Sequence, residues 1–495
     1  MVDFGRIIPS LRKHEIFYLF ILTYIIYNLN MRPIGSGDTL PATLLPFSIL
    51  FNHNLYLDQF SNYLFETYSP YFIVEVEGHY ISSYPIVTPV LITPIYIVLY
   101  ILLIFFHYPI DLSVPGFAII VYAMGKLIAS LIASLSVVFI FLSIKELSDR
   151  KIALICALIY AFATNTWTIS SQSLWQHGMG ELLLSMMIYI VIKNEILSRN
   201  RNLAYLGILS GLFVFNRPVD GVLLLPVFIY ILGFGRVSAY YFGSTLVSSL
   251  PFLIYNLYYF GSVFGGYAAQ ISIFCFSSES VVGFVGLLIS PSRGLFIYTP
   301  VLILSVLGYL KVNNLKNSRL RLFFETSGVS VLCLVIVYSF FQCWWAGWSY
   351  GPRFLTDTLP ILTVFLGFCL KDSTNPILSN KREILRFIII SALVLCSISV
   401  QIIGAFYYPN SSWDGEPNIE ERLWYWNETQ ISRSLDAGMV PIHNPINYIT
   451  NILQHILLSD EVSGENPLEM GRQTSKAGAA SIESDALLRK TRKGP

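Results

Sequence analysis

One carboxylate stands apart in the sequence. Asp38, in Gly35-Ser36-Gly37-Asp38-Thr39, follows directly on an apolar segment, and the Gly-Ser-Gly lead lets the backbone turn tightly and bring another group close to it. A carboxylate so placed suits general-base catalysis; the alternative is an Asp that caps a short helix over Thr39–Leu50. Three arginines each sit where an apolar segment ends: Arg217 in Asn216-Arg217-Pro218, Arg293 in Ser290-Pro291-Ser292-Arg293-Gly294, and Arg353 at the close of Trp344-Trp345-Ala346-Gly347-Trp348-Ser349-Tyr350-Gly351-Pro352-Arg353. A single interfacial arginine is ordinarily a snorkelling anchor. Three of them, beside Gly and Ser that expose backbone N–H groups, suit a phosphate. Trp348 and Tyr350 serve either an interfacial aromatic belt or a platform for a sugar ring. Leu174-Trp175-Gln176-His177-Gly178 adds Trp175, Gln176 and His177 as candidates for sugar or acceptor contacts, although a histidine with no second His or Cys at ligand spacing is more often structural.

Two further positions carry charge of interest. Lys126 lies inside an apolar run, about nine residues or roughly 13 Å from its outer end. An ammonium at that depth costs about 2.5 to 3.5 kcal/mol on insertion scales, so it either snorkels outward or finds a ligand such as a lipid phosphate. Glu75 and Glu77 alternate with apolar neighbours along Tyr71–Val76, which with His79–Ser83 flanks a plausible hairpin turn at Glu77-Gly78. They are candidates for sugar or acceptor contact, and their plainer role is a solvated hairpin edge.

The elements that hold these residues are membrane helices. Of 495 residues, 54% are hydrophobic and only 12% charged, with a mean hydropathy of +0.61, too few charges to cover a water-soluble globule. A net charge of +1 gives no sign of a nucleic-acid partner. Six cysteines without metal-type spacing indicate neither a disulfide framework nor a zinc site. No cleavable signal pattern is apparent, so Ile16–Leu29 is expected to stay as the first helix. Further apolar runs are Phe117–Ile144, Ile152–Trp167, Met179–Leu197, Leu203–Asn216, Val219–Phe234, Ser238–Phe260, Leu295–Leu310, Phe323–Cys343, Phe354–Leu370 and Phe387–Tyr407.

Lys and Arg set the orientation. The N-terminus (Arg6, Arg12, Lys13), Lys145–Lys151, Lys193–Arg201, Arg236, Lys311–Arg321 and Lys371–Arg386 form the expected cytoplasmic set, which leaves Asp38 and the other motifs on the outer face. Between Asp38 outside and Lys145 inside the number of crossings must be odd. The Pro-rich run Ile86–Phe106 is therefore expected to be re-entrant, broken or a tight hairpin, giving about eleven crossings in all. Thr39–Leu50 spaces apolar residues as a helix lying in the headgroup plane would.

These motifs carry a resemblance. Gly37-Asp38 at the start of the first external loop, Leu174–Gly178, Ser290–Gly294 and Trp344–Arg353 make the chain similar to a prokaryotic branch of the GT-C superfamily of membrane glycosyltransferases, which includes protein O-mannosyltransferases and lipid A aminoarabinose transferases. The likeness runs from about residue 16 to residue 407. It implies an all-α polytopic membrane protein of GT-C type, with a large first external loop that holds interfacial helices and a possible hairpin. It also implies transfer of a sugar from a polyprenyl-phosphate carrier, with Asp38 at the position of the catalytic acidic residue. Where a Lys is common in that loop, this chain has Ser82-Ser83-Tyr84-Pro85, and Lys126 or Arg293 is the candidate replacement. The superfamily includes metal-dependent and metal-independent enzymes, which leaves a divalent metal open.

One base facing one leaving group predicts inversion at the anomeric carbon; retention would need a second carboxylate, Glu75 or Glu77. No nucleotide cofactor is expected, because no phosphate-loop or Rossmann fingerprint occurs in the basic loops. The expected partners are the lipid-linked donor, membrane lipids and a protein, glycolipid or cell-wall glycan acceptor, at the outer face of a prokaryotic cell membrane. The rival class is a lipid-linked sugar flippase or transporter, whose signature is ionisable residues at mid-membrane in two related halves. The expected organisation is a transmembrane domain over 1–407 with a catalytic loop at 31–85, an external extension at 408–460 and a disordered tail at 461–495.

Overall fold

The computed structural model describes residues 14–67, 70–197, 200–268, 279–371, 381–409 and 422–440. Arg6, Arg12, Lys13, the tail 461–495 and much of the extension 408–460 lie outside the described residues. Contacts divide the chain into Met1–Phe105 with Pro109–His443, and Phe106–Tyr108 with Asn444–Pro495. Of the second unit, the described part is the short stretch Phe106–Tyr108. The rest of the account concerns the first.

Helices dominate it. In chain order they are α1 Glu15–Asn28, α2 Leu40–Phe47, α3 Ser61–Thr67, then after a hairpin α4 Val87–Phe105, α5 Pro115–Leu147, α6 Arg150–Phe162, α7 Gln176–Leu197, α8 Asn200–Asn216, α9 Leu225–Leu232 and α10 Ala239–Phe260. There follow α11 Glu279–Ile289, α12 Leu295–Tyr298, α13 Ile303–Leu310, α14 Ser318–Ser339, α15 Leu359–Leu370, α16 Lys381–Phe406 and α17 Gln430–Asp436. Among the described residues six segments are long and apolar enough to cross a bilayer, namely Val87–Phe105, Gly116–Leu147, Gly235–Phe260, Ser318–Ser339, Arg353–Leu370 and Lys381–Phe406. Glu15–Asn28, Pro218–Leu232, Ser280–Ile289 and Pro300–Leu310 are shorter apolar helices. The chain is an all-α integral membrane protein in architecture. Its helices approach closely where glycine permits: a Cβ on Gly308 of α13 would lie 1.7 Å from the Phe365 carbonyl oxygen of α15.

The expected cytoplasmic groups meet at one end of the bundle. Glu15, at the start of α1, pairs with both Lys145 at the end of α5 and Arg150 at the start of α6. Lys193 pairs with Glu146 at 2.6 Å, and Lys371 donates to the Leu147 carbonyl at 3.0 Å. Helix α7 runs from the Gln176 motif toward this basic end, a rise of roughly 25 Å to Lys193. The motifs and the basic loops thus occupy opposite ends of α7.

Two expectations for the first loop change. Within the run Ile86–Phe106, expected to be re-entrant, broken or a tight hairpin, Val87–Phe105 forms one continuous helix, α4, with Pro94 inside it. Pro89 falls in the first turn, where its missing N–H costs nothing, so only Pro94 interrupts the hydrogen-bond ladder. The helix after Asp38 is α2 followed by a π-helical turn, Ser48–Asn52, and every residue of Leu40–Phe47 is buried. Its apolar residues therefore face protein on all sides instead of one face toward lipid. Phe47 makes edge contacts with Tyr96 of α4 and Phe117 of α5, at ring separations of 5.2 and 5.1 Å. The hairpin forms as its sequence suggests: β1 Ile73–Val76 pairs antiparallel with β2 His79–Ser82 around Glu77 and Gly78, both at positive φ.

Candidate active site

Asp38 sits in a single 3-10 turn, Gly37–Thr39, that joins the extended stretch after α1 to α2. Ser36, not Asp38, caps it, since the Ser36 hydroxyl accepts the Asp38 N–H at 3.3 Å. The glycine before Asp38 is required by close approach, because a Cβ on Gly37 would lie 2.6 Å from the Phe72 ring. This leaves the Asp38 carboxylate free to face across the loop. Its Oδ2 accepts from Arg353 Nη1 at 2.6 Å and its Oδ1 from the Tyr71 hydroxyl at 2.5 Å. Burial pushes the carboxyl up, but the Arg353 guanidinium and the Tyr71 and Tyr84 hydroxyls outweigh it and hold Asp38 below the ordinary carboxylate value. The Tyr71 hydroxyl moves the other way, raised by burial and by the Asp38 charge, so it stays a donor.

Arg353 is fixed from two further directions. Nη2 donates to the Ala346 carbonyl at 2.6 Å, and the guanidinium lies 4.4 Å from the Trp175 ring centre. Trp175 is itself tied down by its indole N–H, which donates to the Ile34 carbonyl at 3.2 Å.

A second ionic group borders the same space. His177 Nδ1 meets Asp357 Oδ2, and Arg217 Nη1 contacts the His177 ring and reaches Asp357 Oδ2 at 3.2 Å. Arg217 Nε faces Asp220 Oδ2 at 3.5 Å, and the Tyr338 hydroxyl donates to Asp220 Oδ1 at 3.1 Å. The Arg217 guanidinium lies between the Tyr338 and Phe354 rings, 5.4 and 5.5 Å from their centres. Asn216 anchors this corner by donating to the Gln176 carbonyl at 2.9 Å and accepting from Thr88 at 2.6 Å.

The two groups wall one cavity of about 410 Å³. Asp38, Gln176, His177, Arg217, Trp348 and Arg353 all line it, with Tyr71, Tyr84, Tyr267 and Tyr338. Among the described residues that line it, Asp38 is the one carboxylate. Arg217 and Arg353 bring two guanidinium groups to a wall that is otherwise mostly aromatic.

Other sequence candidates lie elsewhere. Arg293 is fully buried and donates to the Trp345 and Gly347 carbonyls, both at 2.9 Å, so it holds the Trp344–Arg353 loop in shape instead of facing the cavity. Lys126 is buried and donates to the Tyr27 carbonyl at 2.7 Å and Gln172 Oε1 at 2.6 Å, an internal solution to its charge rather than a phosphate site. Tyr350 points into a core with Tyr298 and Tyr408, its hydroxyl on the Val400 carbonyl at 2.9 Å. Trp175 lies under Arg353 and outside the cavity lining. Glu75 and Glu77 are exposed on the hairpin and also outside that lining.

Asp220, Asp357 and Glu181 escaped the sequence reading. All three are buried carboxylates inside or beside apolar runs, and Glu181 accepts from Thr166 at 3.0 Å. Arg217 to Asp220 and Arg353 to Asp357 are one helical turn apart, and an ionisable residue in an apolar run is the signal that could have found them. The described groups around Asp38 do not form a divalent-metal site. Both Asp38 oxygens are engaged, one by a cation, and among the described residues no three His, Cys, Asp or Glu side chains converge to hold an ion.

No protein-family model matches the chain, and no curated protein matches it. Among solved structures it is similar to the crystal structure of the Archaeoglobus fulgidus oligosaccharyltransferase in the apo form, at a TM-score of 0.48 and 12% identity. That likeness covers 88% of this chain and 61% of the other, so the chain spans about three fifths of that oligosaccharyltransferase.

Proposed function

We propose that this chain is a GT-C-type membrane glycosyltransferase that moves a sugar from a polyprenyl-phosphate carrier to an acceptor hydroxyl, at the outer face of a prokaryotic cell membrane. The observation that carries this is one cavity whose described lining residues include one carboxylate, Asp38, paired with Arg353, and a second arginine, Arg217. The acceptor hydroxyl attacks the anomeric carbon while its proton passes to the Asp38 carboxylate. The bond from that carbon to the phosphate oxygen breaks, and the polyprenyl phosphate leaves with the electron pair.

Arg217 and Arg353 stabilise the charge that gathers on the departing phosphate. Arg353 also orients Asp38, and the low proton affinity of that carboxylate keeps it ionised and ready. General-base catalysis by one positioned carboxylate supplies roughly 10²–10⁴-fold. Inversion follows from there being one carboxylate in the cavity wall. A carrier whose tail stays in the bilayer suits a site built at the ends of helices.

The test is reconstitution. Purified protein in liposomes, given lipid-linked sugars extracted from cells lacking it, is expected to transfer one sugar to outer-surface glycan material with inverted anomeric configuration by NMR. Transfer with retention would contradict the single-carboxylate mechanism, and uptake of the lipid-linked sugar without transfer would favour a transporter.

A further inference from the structure

A second cavity, of about 670 Å³, lies on the other side of the Gly35–Asp38 turn. The two cavities share Ser36, Tyr71 and Trp348 as lining residues, so a turn of backbone and two aromatic rings separate them. The partition is as thin as packing permits. A Cβ on Gly35 would lie 2.6 Å from the Ser173 hydroxyl, and one on Gly37 would meet Phe72 at the same distance. Chemically the cavities differ. The first is charged; the second, among the described residues of its lining, has no Asp, Glu, Lys, Arg or His and is bordered by Ser36, Thr39 and Ser173 beside Tyr71, Phe72, Tyr122 and Trp348.

We infer that the second cavity receives the acceptor, and that the acceptor is an uncharged carbohydrate. This rests on the phosphate donor occupying the first. Aromatic faces with short hydroxyls and no ionic group suit a neutral polyhydroxylated ring, whose C–H faces pack on aromatics and whose hydroxyls exchange hydrogen bonds with Ser and Thr. A phosphorylated or amine-bearing group would be desolvated there without a charged partner. The Tyr71 hydroxyl, 2.5 Å from Asp38 Oδ1 and carried on a ring that faces both cavities, marks where an acceptor hydroxyl from the second cavity meets the base. Trp348, which lines both cavities, is a half-exposed residue that follows Ala346 and Gly347 at positive φ.

The experiment fills the second cavity and reads the two substrates separately. Ser173→Phe and Tyr122→Trp, each as the full chain in nanodiscs, are titrated with farnesyl phosphate as the donor-phosphate probe. The same variants, expressed in cells lacking the protein, are assayed for the pool of lipid-linked sugar and for the glycosylated product. The expected result is farnesyl phosphate affinity within about twofold of wild type, with a lipid-linked sugar pool raised about tenfold, as in the deletion. Arg217→Ala is expected to lose farnesyl phosphate affinity by about tenfold or more. If Ser173→Phe melts more than about 5 °C lower, Tyr122→Trp decides.

Wild-type consumption of donor by the filled variants overturns the inference. So does loss of farnesyl phosphate binding together with turnover in a variant that melts normally, which would make the two cavities one site. A product in which the sugar sits on a polypeptide side chain overturns the carbohydrate assignment. Undiminished farnesyl phosphate binding by Arg217→Ala instead contradicts the phosphate role of the first cavity, a failure of the proposed function that the filled variants do not produce.

Discussion

Asp38 works under a constraint visible in its partners. A buried carboxylate alone would resist ionisation; with Arg353 at 2.6 Å and Tyr71 at 2.5 Å it is held ionised below the usual range. A group whose proton affinity is depressed in the fold contributes stability at pH values above its ordinary value, and that contribution is lost as the pH falls through the depressed one. The acid limb of activity in the wild type should therefore lie below the ordinary carboxyl range. Arg353→Ala removes the main offset to burial, so the limb should move to higher pH and turnover at neutral pH should fall by about 10²-fold or more, as a pH–rate profile would show. An unmoved acid limb would mean that Asp38 is not the titrating base. The residues legible in sequence were those whose type is unusual at the end of an apolar run, and Asp38, His177, Arg217 and Arg353 do meet in one cavity. The Trp344–Arg353 motif mixed two jobs that sequence does not separate. Trp348 and Arg353 reach the cavity, whereas Tyr350 turns into the core. Arg293 was indistinguishable from Arg217 by spacing, since only the fold shows that its donors are spent on loop carbonyls.

Among the elements, the hairpin was readable because Glu77-Gly78 supplies the turn and its flanks alternate, and β1 and β2 pair in that register. Helix α4 was not readable, because proline was weighed by its presence and not by its position within the first turn. The packing of α4 bears on topology. Thr88 near its start bonds Asn216 at the site, and Tyr96 near its middle packs on Phe47, which also touches Phe117 in the first turns of α5. Phe117 contacts Phe60 of the first loop as well. The chain therefore enters α5 near the elements that carry Asp38 and leaves it beside Glu15. Asp111→Cys, in a background without native cysteines, should react with a membrane-impermeant maleimide from the outer face of intact cells. Labelling only after permeabilisation would place that turn in the cytoplasm and overturn the orientation.

For the molecule as a whole, composition and the Lys/Arg pattern were the most transparent signals. Burial of apolar helices against each other and lipid is dictated by a chain with few charges, and the basic loops gather at one end through Glu15, Glu146 and Glu195. The pairing of Asp357 with Arg217 was hidden because the two come from distant parts of the chain: Asp357 is 140 positions from Arg217 yet 3.2 Å away. Those contacts place the cavity at the opposite end of α7 from the basic loops. The decisive test is mass spectrometry of polyprenyl-phosphate sugars and surface glycans from cells with wild type, a deletion, or Asp38→Asn. Accumulation of one lipid-linked sugar and loss of one glycan residue in both the deletion and Asp38→Asn is the predicted result. Wild-type glycans and lipid-linked sugars in Asp38→Asn cells, beside a deletion that changes both, would contradict Asp38 as the base.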